Sequence, residues 1–317
     1  MGENLFSKRF PPKDLRITPM SNLAVVFGGS GFLGSHVADA LLEAGYGVRV
    51  CDLVHSPYLQ PGQEMVCCDI LDRDAMREAV RGADFVYNFA GMADVDEARD
   101  KPIEAIELNV LGNAHILDAC RREKNIKRYV FASTVYVYSE KGSFYRAGKQ
   151  ASERIIEAYH ERYGLPYTIL RYGSLYGRRA DARNGIYRIL HSALVDGEIT
   201  YSGTGEEQRE YIHVHDAAES SVKILAPEYA GRHVILTGPY PYKVRDLMEM
   251  VREMLGKKPK VKFLNKLLES HYTITPYAFL PRIGKKLVPG THIDMGQGLL
   301  DCLAEMHEKL GPKGRGR

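Results

Sequence analysis

Six short apolar runs punctuate the first 172 residues, with longer helical stretches between them. They are LAVVF at 23–27, VRVCD at 48–52, EMVCCD at 64–69, DFVYNFA at 84–90, RYVFAST at 128–134 and YTILRY at 167–172. Continuous apolar, β-branched runs predict strands covered on both faces, and their alternation with helices predicts a parallel sheet. Two of the intervening helices are long. One is expected over 102–123, opening at Pro102, and one over 145–163, ending near Gly164 and Pro166; both carry more apolar residues than one stripe needs. After Tyr172 the alternation breaks in the Gly- and Arg-rich stretch GSLYGRRADARNG. A helix at 213–225 and a strand at 233–238 then resume the pattern and could rejoin the sheet. The expected fold class is α/β, a Rossmann-type doubly wound parallel sheet with a smaller, discontinuous C-terminal lobe that binds substrate. Residues 1–20 read as a flexible extension, 21–173 plus about 213–238 as the dinucleotide domain, 174–212 and 239–310 as the lobe, and 311–317 as a basic tail.

Composition narrows this without changing it. With 317 residues, 44% apolar and 26% charged, the chain can bury a substantial core and is no disordered or collagen-like polymer. Its 43 basic and 40 acidic side chains leave +3, too little to coat nucleic acid. No apolar run approaches the roughly 18 residues that cross a bilayer, and the first twenty residues lack a signal-peptide core, so no membrane partner and a cytoplasmic location are expected. The five cysteines, Cys51, Cys67, Cys68, Cys120 and Cys302, are odd in number and form no CxxC pair. They read as buried thiols in a reducing compartment.

Directly after the first strand comes GGSGFLG, residues 28–34, with Gly28, Gly31 and Gly34 three apart around Phe32 and Leu33 and a helix-like stretch following. Glycines there permit a tight turn and the close approach of a pyrophosphate, which backbone amides and a helix dipole then meet. A plain strand-to-helix turn would need the same residues. Asp52, 24 residues after Gly28 at the end of the second strand, decides between them. A carboxylate there accepts the ribose hydroxyls of an adenosine, and no Arg or Lys follows at once to welcome a 2′-phosphate, which favours NAD over NADP.

The fifth strand runs into ASTVYVY, placing Ser133 and Thr134 where a central strand opens at its carboxyl end. Tyr145 follows Thr134 by eleven residues and Lys149 follows Tyr145 by four, on one face of a helix. A tyrosine of reference pKa about 10 is a poor base, but a nearby ammonium and an oxidised nicotinamide both favour its phenolate. Tyr145 could then take the proton of a substrate hydroxyl held by Thr134, or failing that by Ser133, as hydride leaves the same carbon.

With these motifs in order, the chain resembles the extended short-chain dehydrogenase/reductase family, in the NAD-dependent epimerase/dehydratase branch that acts on nucleotide sugars. The resemblance covers roughly residues 21–240. It rests on GGSGFLG, Asp69-Ile70, NFAG at 88–91, LNVLG at 108–112, FASTVY with YRAGK, RYGSLYG at 171–177 and REYIHVHDAA at 209–218. It implies that Asp69 and Ile70 reach the adenine, that Ala90, Gly91 and Met92 line the nicotinamide ribose, and that Lys149 bonds that ribose while Tyr172 borders the nicotinamide. Asn109, in LNVLG, could bond backbone and help position the site, or be a satisfied buried amide. In the lobe the resemblance implies Arg209 on phosphate, Asn184 and Tyr201 flanking the base or its ribose, and Arg282 as a further phosphate ligand. Ser174 stands where an Asn is common. Related enzymes also imply a homodimer through a four-helix bundle of the helices at 102–123 and 145–163.

Two departures matter. The segment SEKGSF, 139–144, is short where 4-epimerases carry a longer substrate-contacting loop, so the pocket should be more open or closed by another segment. Val135 and Tyr136 follow Thr134 where 4,6-dehydratases carry an acidic pair, which disfavours loss of water. His213 and His215 form an HxH pair without a convincing third ligand, so no metal is expected. The expected activity, in carbohydrate biosynthesis, is NAD-dependent oxidation of a nucleotide-sugar C4 hydroxyl to a 4-ketone. Return of hydride makes it a 4-epimerase, an isomerase like those of UDP-glucose. Net oxidation would make it a 4-dehydrogenase, an oxidoreductase acting for example on a GDP-heptose, and a non-catalytic NAD-binding protein is the alternative from another class.

Overall fold

A computed structural model describes residues 22–266 and 270–276. The chain begins β1 (Leu23–Phe27), α1 (Phe32–Glu43), β2 (Gly47–Asp52), β3 (Gln63–Cys67), α2 (Arg73–Ala79) and β4 (Phe85–Asn88). Then come α3 (Val95–Asp100), α4 (Pro102–Ile106), a π-helical stretch (Glu107–Gly112), α5 (Asn113–Arg122) and β5 (Arg128–Thr134). A 3-10 turn (Val135–Tyr138) leads into α6 (Ser143–Tyr163) and β6 (Tyr167–Tyr172). The remainder is β7 (Ser174–Tyr176), α7 (Gly185–Val195), β8 (Glu198–Tyr201), β9 (Gln208–His213), α8 (Val214–Lys223), β10 (Arg232–Leu236), β11 (Pro241–Lys243), α9 (Val244–Met254) and β12 (Lys260–Phe263).

Seven strands form one parallel sheet in the order β10-β6-β5-β4-β1-β2-β3. The strand order reverses between β1 and β4, which run side by side with Ala24 opposite Phe85 and Phe27 opposite Asn88. The loops leaving the carboxyl ends of these two strands therefore diverge and open a crevice, the place where doubly wound sheets bind ligands. Alternation within β1 shows why the sheet sits where it does. Val25 and Phe27 join the core under α2, α5 and α6, whereas Ala24 and Val26 join the core under α1 and α8. All four are fully buried, so the continuous apolar run is the signature of a strand covered twice. After β6 the chain leaves the sheet for β7, which pairs with β9. It returns through α8, and β10 pairs in parallel with β6, Arg232 opposite Thr168. Ala193, Ile199, Val244, Met248 and Val251 make a separate small core among α7, β8 and α9.

Three expectations need correction. The helix over 102–123 is not uniform, because residues 107–112 widen into a π-helix between two α-helical pieces. The wide turn is held by tertiary contacts: Ser152 of α6 donates its hydroxyl to the Asn109 carbonyl at 2.5 Å. The helix over 145–163 starts earlier, at Ser143, after Gly142 at φ 102°. Of the thiols, Cys51 and Cys120 are buried, but Cys67 is exposed, because it ends β3 on the edge of the sheet; Cys302 lies outside the described residues. Among the described residues no helix is long and apolar enough to cross a membrane.

Candidate active site

The glycine loop fits together through absent side chains. Gly28 adopts φ 75° and donates to the Cys51 carbonyl at 2.8 Å. A Cβ on Gly28 would lie 2.6 Å from the nitrogen of Ala90, and one on Gly34 would lie 2.2 Å from the carbonyl oxygen of Gly28. Backbone thus packs on backbone, the loop after β1 against both α1 and the loop after β4. No side chain caps the start of α1 and its first turn holds no acid, so its N–H groups and dipole are left for a ligand. Asp52 accepts from Ser30 N at 3.0 Å and Leu53 N at 2.8 Å. Phe32, Leu33 and Asp52 all line a cavity of about 620 Å³ that runs over this loop.

Ile70 lines the same cavity and Asp69 does not; the Asp69 carboxylate instead accepts from Leu71 N at 2.8 Å and shapes the turn. Ile70 fits because Gly112 has no side chain, since a Cβ there would come within 2.5 Å of it. Ala90 and Gly91 line the cavity as well. The side chain of Met92 packs away, with Ala98 and Ala105. Asn109, from the π-helix, accepts from Met92 N at 2.8 Å and donates to Met92 O at 3.0 Å. It therefore fixes the 90–92 loop and, itself buried, does not line the cavity.

Thr134, Tyr145 and Lys149 meet on one wall. Burial of its phenol pushes the pKa of Tyr145 up to about 12, against a hydrogen bond from Thr134 that pulls it down. Lys149 donates to the Ala132 carbonyl at 2.8 Å, with Nζ 5.9 Å from the Tyr145 ring centre. Burial pulls its pKa down to about 8, partly opposed by Glu153. Ser133, the alternative holder of a substrate hydroxyl, donates to Glu153 at 2.5 Å. Burial alone would raise the Glu153 carboxyl, but hydrogen bonds from His233, Arg171 and Ser133 hold it at about 2. The hydroxyl of Ser133 is thus committed to a buried anion while that of Thr134 faces Tyr145. Tyr172 lines the cavity with its ring, its hydroxyl bonded to Ser221 at 2.6 Å.

The lobe residues are less gathered. Asn184 reaches the cavity wall, yet its side chain is used locally, accepting from Ile186 N and Tyr187 N as the cap of α7 and donating to Leu175 O at 2.8 Å. Ser174 and Tyr201 do not line this cavity, and Tyr201 packs edge-on to Phe263. Arg209 is buried, with Nη1 on the carbonyls of Gln208 and Thr273 and the guanidinium 4.4 Å over the Tyr272 ring. Arg282 lies outside the described residues. His213 and His215 stack on each other, and no group of three His, Cys, Asp or Glu among the described residues is arranged to hold a metal.

Comparison with known proteins decides the family. The model of the NAD dependent epimerase/dehydratase family matches residues 24–236. The chain belongs to that family. It is 27% identical to the UDP-N-acetyl-alpha-D-glucosaminuronate decarboxylase of Bacillus cytotoxicus, over 76% of this chain and 83% of the relative. To the UDP-glucuronate 4-epimerase of Thermodesulfobacterium geofontis it is 24% identical, again over 76% and 83%. Among solved structures, the UDP-glucuronic acid 4-epimerase of Bacillus cereus, in complex with UDP-glucuronic acid and NAD, superposes with a TM-score of 0.74 at 25% identity, covering 81% of this chain and 90% of that one.

The cofactor of this epimerase/dehydratase family is NAD, and the residues present fit it. The loop brings Gly28, Gly31 and Gly34 to the cavity lining with no side chain to screen their backbone, the helix start is uncapped, and Asp52 lines the same cavity. Sequence reading missed other wall residues of this family member: Asp94, Asp181 and Arg183, the last two ion-paired at 2.5 Å. The only signal for Arg183 was its place in the Arg-rich stretch where the strand pattern breaks. Glu153, which decides between Ser133 and Thr134, gave no signal beyond standing one turn after Lys149.

Proposed function

We propose that the protein is a UDP-sugar 4-epimerase, oxidising the C4 hydroxyl to a ketone and then reducing it from the other face. Convergence of Thr134, Tyr145 and Lys149 on the wall shared with the Ala90–Gly91 loop carries the reading. Gly28, Gly31 and Gly34 would hold the NAD diphosphate, Asp52 the adenosine ribose, and Lys149 the nicotinamide ribose. When bound, NAD supplies the hydride acceptor and a positively charged ring that favours a phenolate. Thr134 would hold the sugar hydroxyl, the Tyr145 phenolate would accept its proton and return that proton to the re-formed hydroxyl, and Lys149 would stay charged throughout to stabilise the phenolate. Arg209 would meet the substrate diphosphate by charge-assisted hydrogen bonds. The same reading keeps the chain in the cytoplasm, as a homodimer through α4, α5 and α6.

A second reading is decarboxylation. A 4-ketone stands β to the C6 carboxylate of a hexuronate, so the same oxidation would release carbon dioxide; the Bacillus cytotoxicus relative named above favours it. Incubation with NAD and UDP-glucose, UDP-N-acetylglucosamine or UDP-glucuronic acid, with product NMR and the NADH absorbance band, separates the readings. The C4 epimer supports the first and a pentose with carbon dioxide the second, while accumulated ketone with free NADH would mean a 4-dehydrogenase. Tyr145→Phe should lower kcat about 100-fold or more; unchanged hydride transfer would overturn the mechanism.

A further inference from the structure

A second hydrogen-bonded chain starts from the backbone that presents Thr134. Tyr136 donates its N–H to Thr134 Oγ1 at 3.2 Å, and its phenol lies 2.7 Å from Nδ1 of His271. On the far side of the imidazole, Nε2 faces Asp96 of α3 at 3.6 Å. The Tyr136 ring meets the Tyr145 ring edge-on, centres 5.9 Å apart at 82°, and lies obliquely on Tyr272 at 4.6 Å. A Cβ on Gly142 would come within 2.7 Å of it. The ring is therefore wedged between the turn that opens α6 and the side chain of Tyr145.

Residues 270–276, which bring His271 there, are fastened at several points. Ser270 accepts from Arg99 at 3.0 Å, the Thr273 carbonyl accepts from Gln208 N at 2.7 Å and from Arg209 at 3.2 Å, and Thr275 accepts from Glu210 N at 3.1 Å. They thus pack on Tyr136, whose ring in turn meets Gly142 and Tyr145, and on Arg209. We propose that His271 is a positioning residue: its neutral imidazole, accepting the phenol proton of Tyr136, latches this segment onto the turn that aligns Thr134 with Tyr145. The proposal deepens the reading of Tyr145 as the acid–base group and rests on it.

The latch titrates. Protonation puts an N–H on Nδ1 where the phenol proton of Tyr136 was accepted, so that proton must find another acceptor and the bond reverses or breaks. The groups facing the ring are Asp96 from α3, Arg188 from α7, Arg209 from β9, Tyr136, and Tyr272 beside it. Burial comes first in pulling the His271 pKa below its ordinary value; the Asp96 carboxylate opposes this, and Arg209 and Arg188 add to it. The neutral, latched form therefore holds at pH 7, and the loss belongs below about pH 6.5.

Two substitutions of His271 separate latch from bulk. Asn carries an acceptor in the place of Nδ1 and does not titrate; Leu has no acceptor. With holoenzyme and the sugar that turns over, His271→Leu and Tyr136→Phe should each lower kcat about tenfold at pH 8 with KM changed less than about threefold. His271→Asn should recover to within about threefold of wild type and lose the acid limb of the pH profile. Equal losses in Leu and Asn, or an acid limb that survives in Asn, would make His271 a packing residue and overturn the proposal. A second readout needs no turnover: tyrosine 13Cζ NMR of NAD-bound protein follows the Tyr145 midpoint, which should move in His271→Leu and stay in His271→Asn. If it stays in both, the latch fails even where no sugar reacts, and absence of turnover in wild type would count against the 4-epimerase alone.

Discussion

Two side chains four residues apart on α6 carry opposite displacements for one reason. Burial favours the neutral form of each, so it raises the phenol of Tyr145 to about 12 and lowers the ammonium of Lys149 to about 8. Without cofactor the pair is held closer to neutral than the spacing of the motif suggests. The sign for stability follows from proton binding. Between about pH 8 and the unfolded value of about 10.4, the unfolded chain holds a proton on Lys149 that the native chain has shed, so stability rises with pH. Relative to Lys149→Met, the cofactor-free wild type should gain on the order of 2 kcal/mol between about pH 8 and pH 10. Urea unfolding at several pH values gives the difference; parallel curves for the two proteins would show that Lys149 is not held in its neutral form.

At the scale of elements, the strand–loop–helix unit from β1 to α1 depends on contacts that only glycine permits. Gly34→Ala places a methyl 2.2 Å from the Gly28 carbonyl oxygen, so α1 must move away from the loop. NAD affinity by titration calorimetry should fall at least tenfold, about 1.4 kcal/mol, with the circular dichroism of the fold retained; affinity within twofold of wild type would remove the loop from the cofactor site. This unit was legible in the sequence because each of its requirements is local: a doubly covered strand reads as LAVVF, and close backbone approach reads as spaced glycines. What escaped depends on partners far along the chain. The π-helix at 107–112 exists because Asn109 must reach Met92 and Ser152 must take the freed carbonyl. Ser133 and Thr134 have the same chemistry in a row, and the choice between them is made by Glu153, a helix away. Asn184 is a favoured residue both for a helix cap and for a ligand contact, so its type alone could not tell that the cap uses its side-chain atoms. His271 had no local signal at all, being 135 positions from the phenol it meets.

Among the described residues, apolar side chains are left exposed on several elements, and one such group adjoins α6. On α4 and the π-helix, Ile103, Ile106 and Leu111 are 67%, 44% and 47% exposed, and α6, packed alongside, turns Ala147, Ala151 and Ala158 outward or to the margin. Bulky apolar groups beside a row of alanines suit an isologous pairing in which the large residues of each copy rest on the small residues of the other. Full burial of a Leu or Ile side chain contributes about 1.5–3 kcal/mol, so six such residues across a two-fold axis would sustain association at micromolar protein. Sedimentation velocity should therefore give a dimer for wild type. Leu111→Glu, exposed in the monomer and buried against its copy in the dimer, should give a folded monomer, since an unpaired carboxylate at that contact has no compensating charge. Monomeric wild type, or a dimer that survives Leu111→Glu unchanged, would place any interface elsewhere. Because Tyr145 and Lys149 stand on α6, the inner face of the same helix that would pair outward, a monomerising change should also lower kcat modestly, and the two effects can be followed in one concentration series.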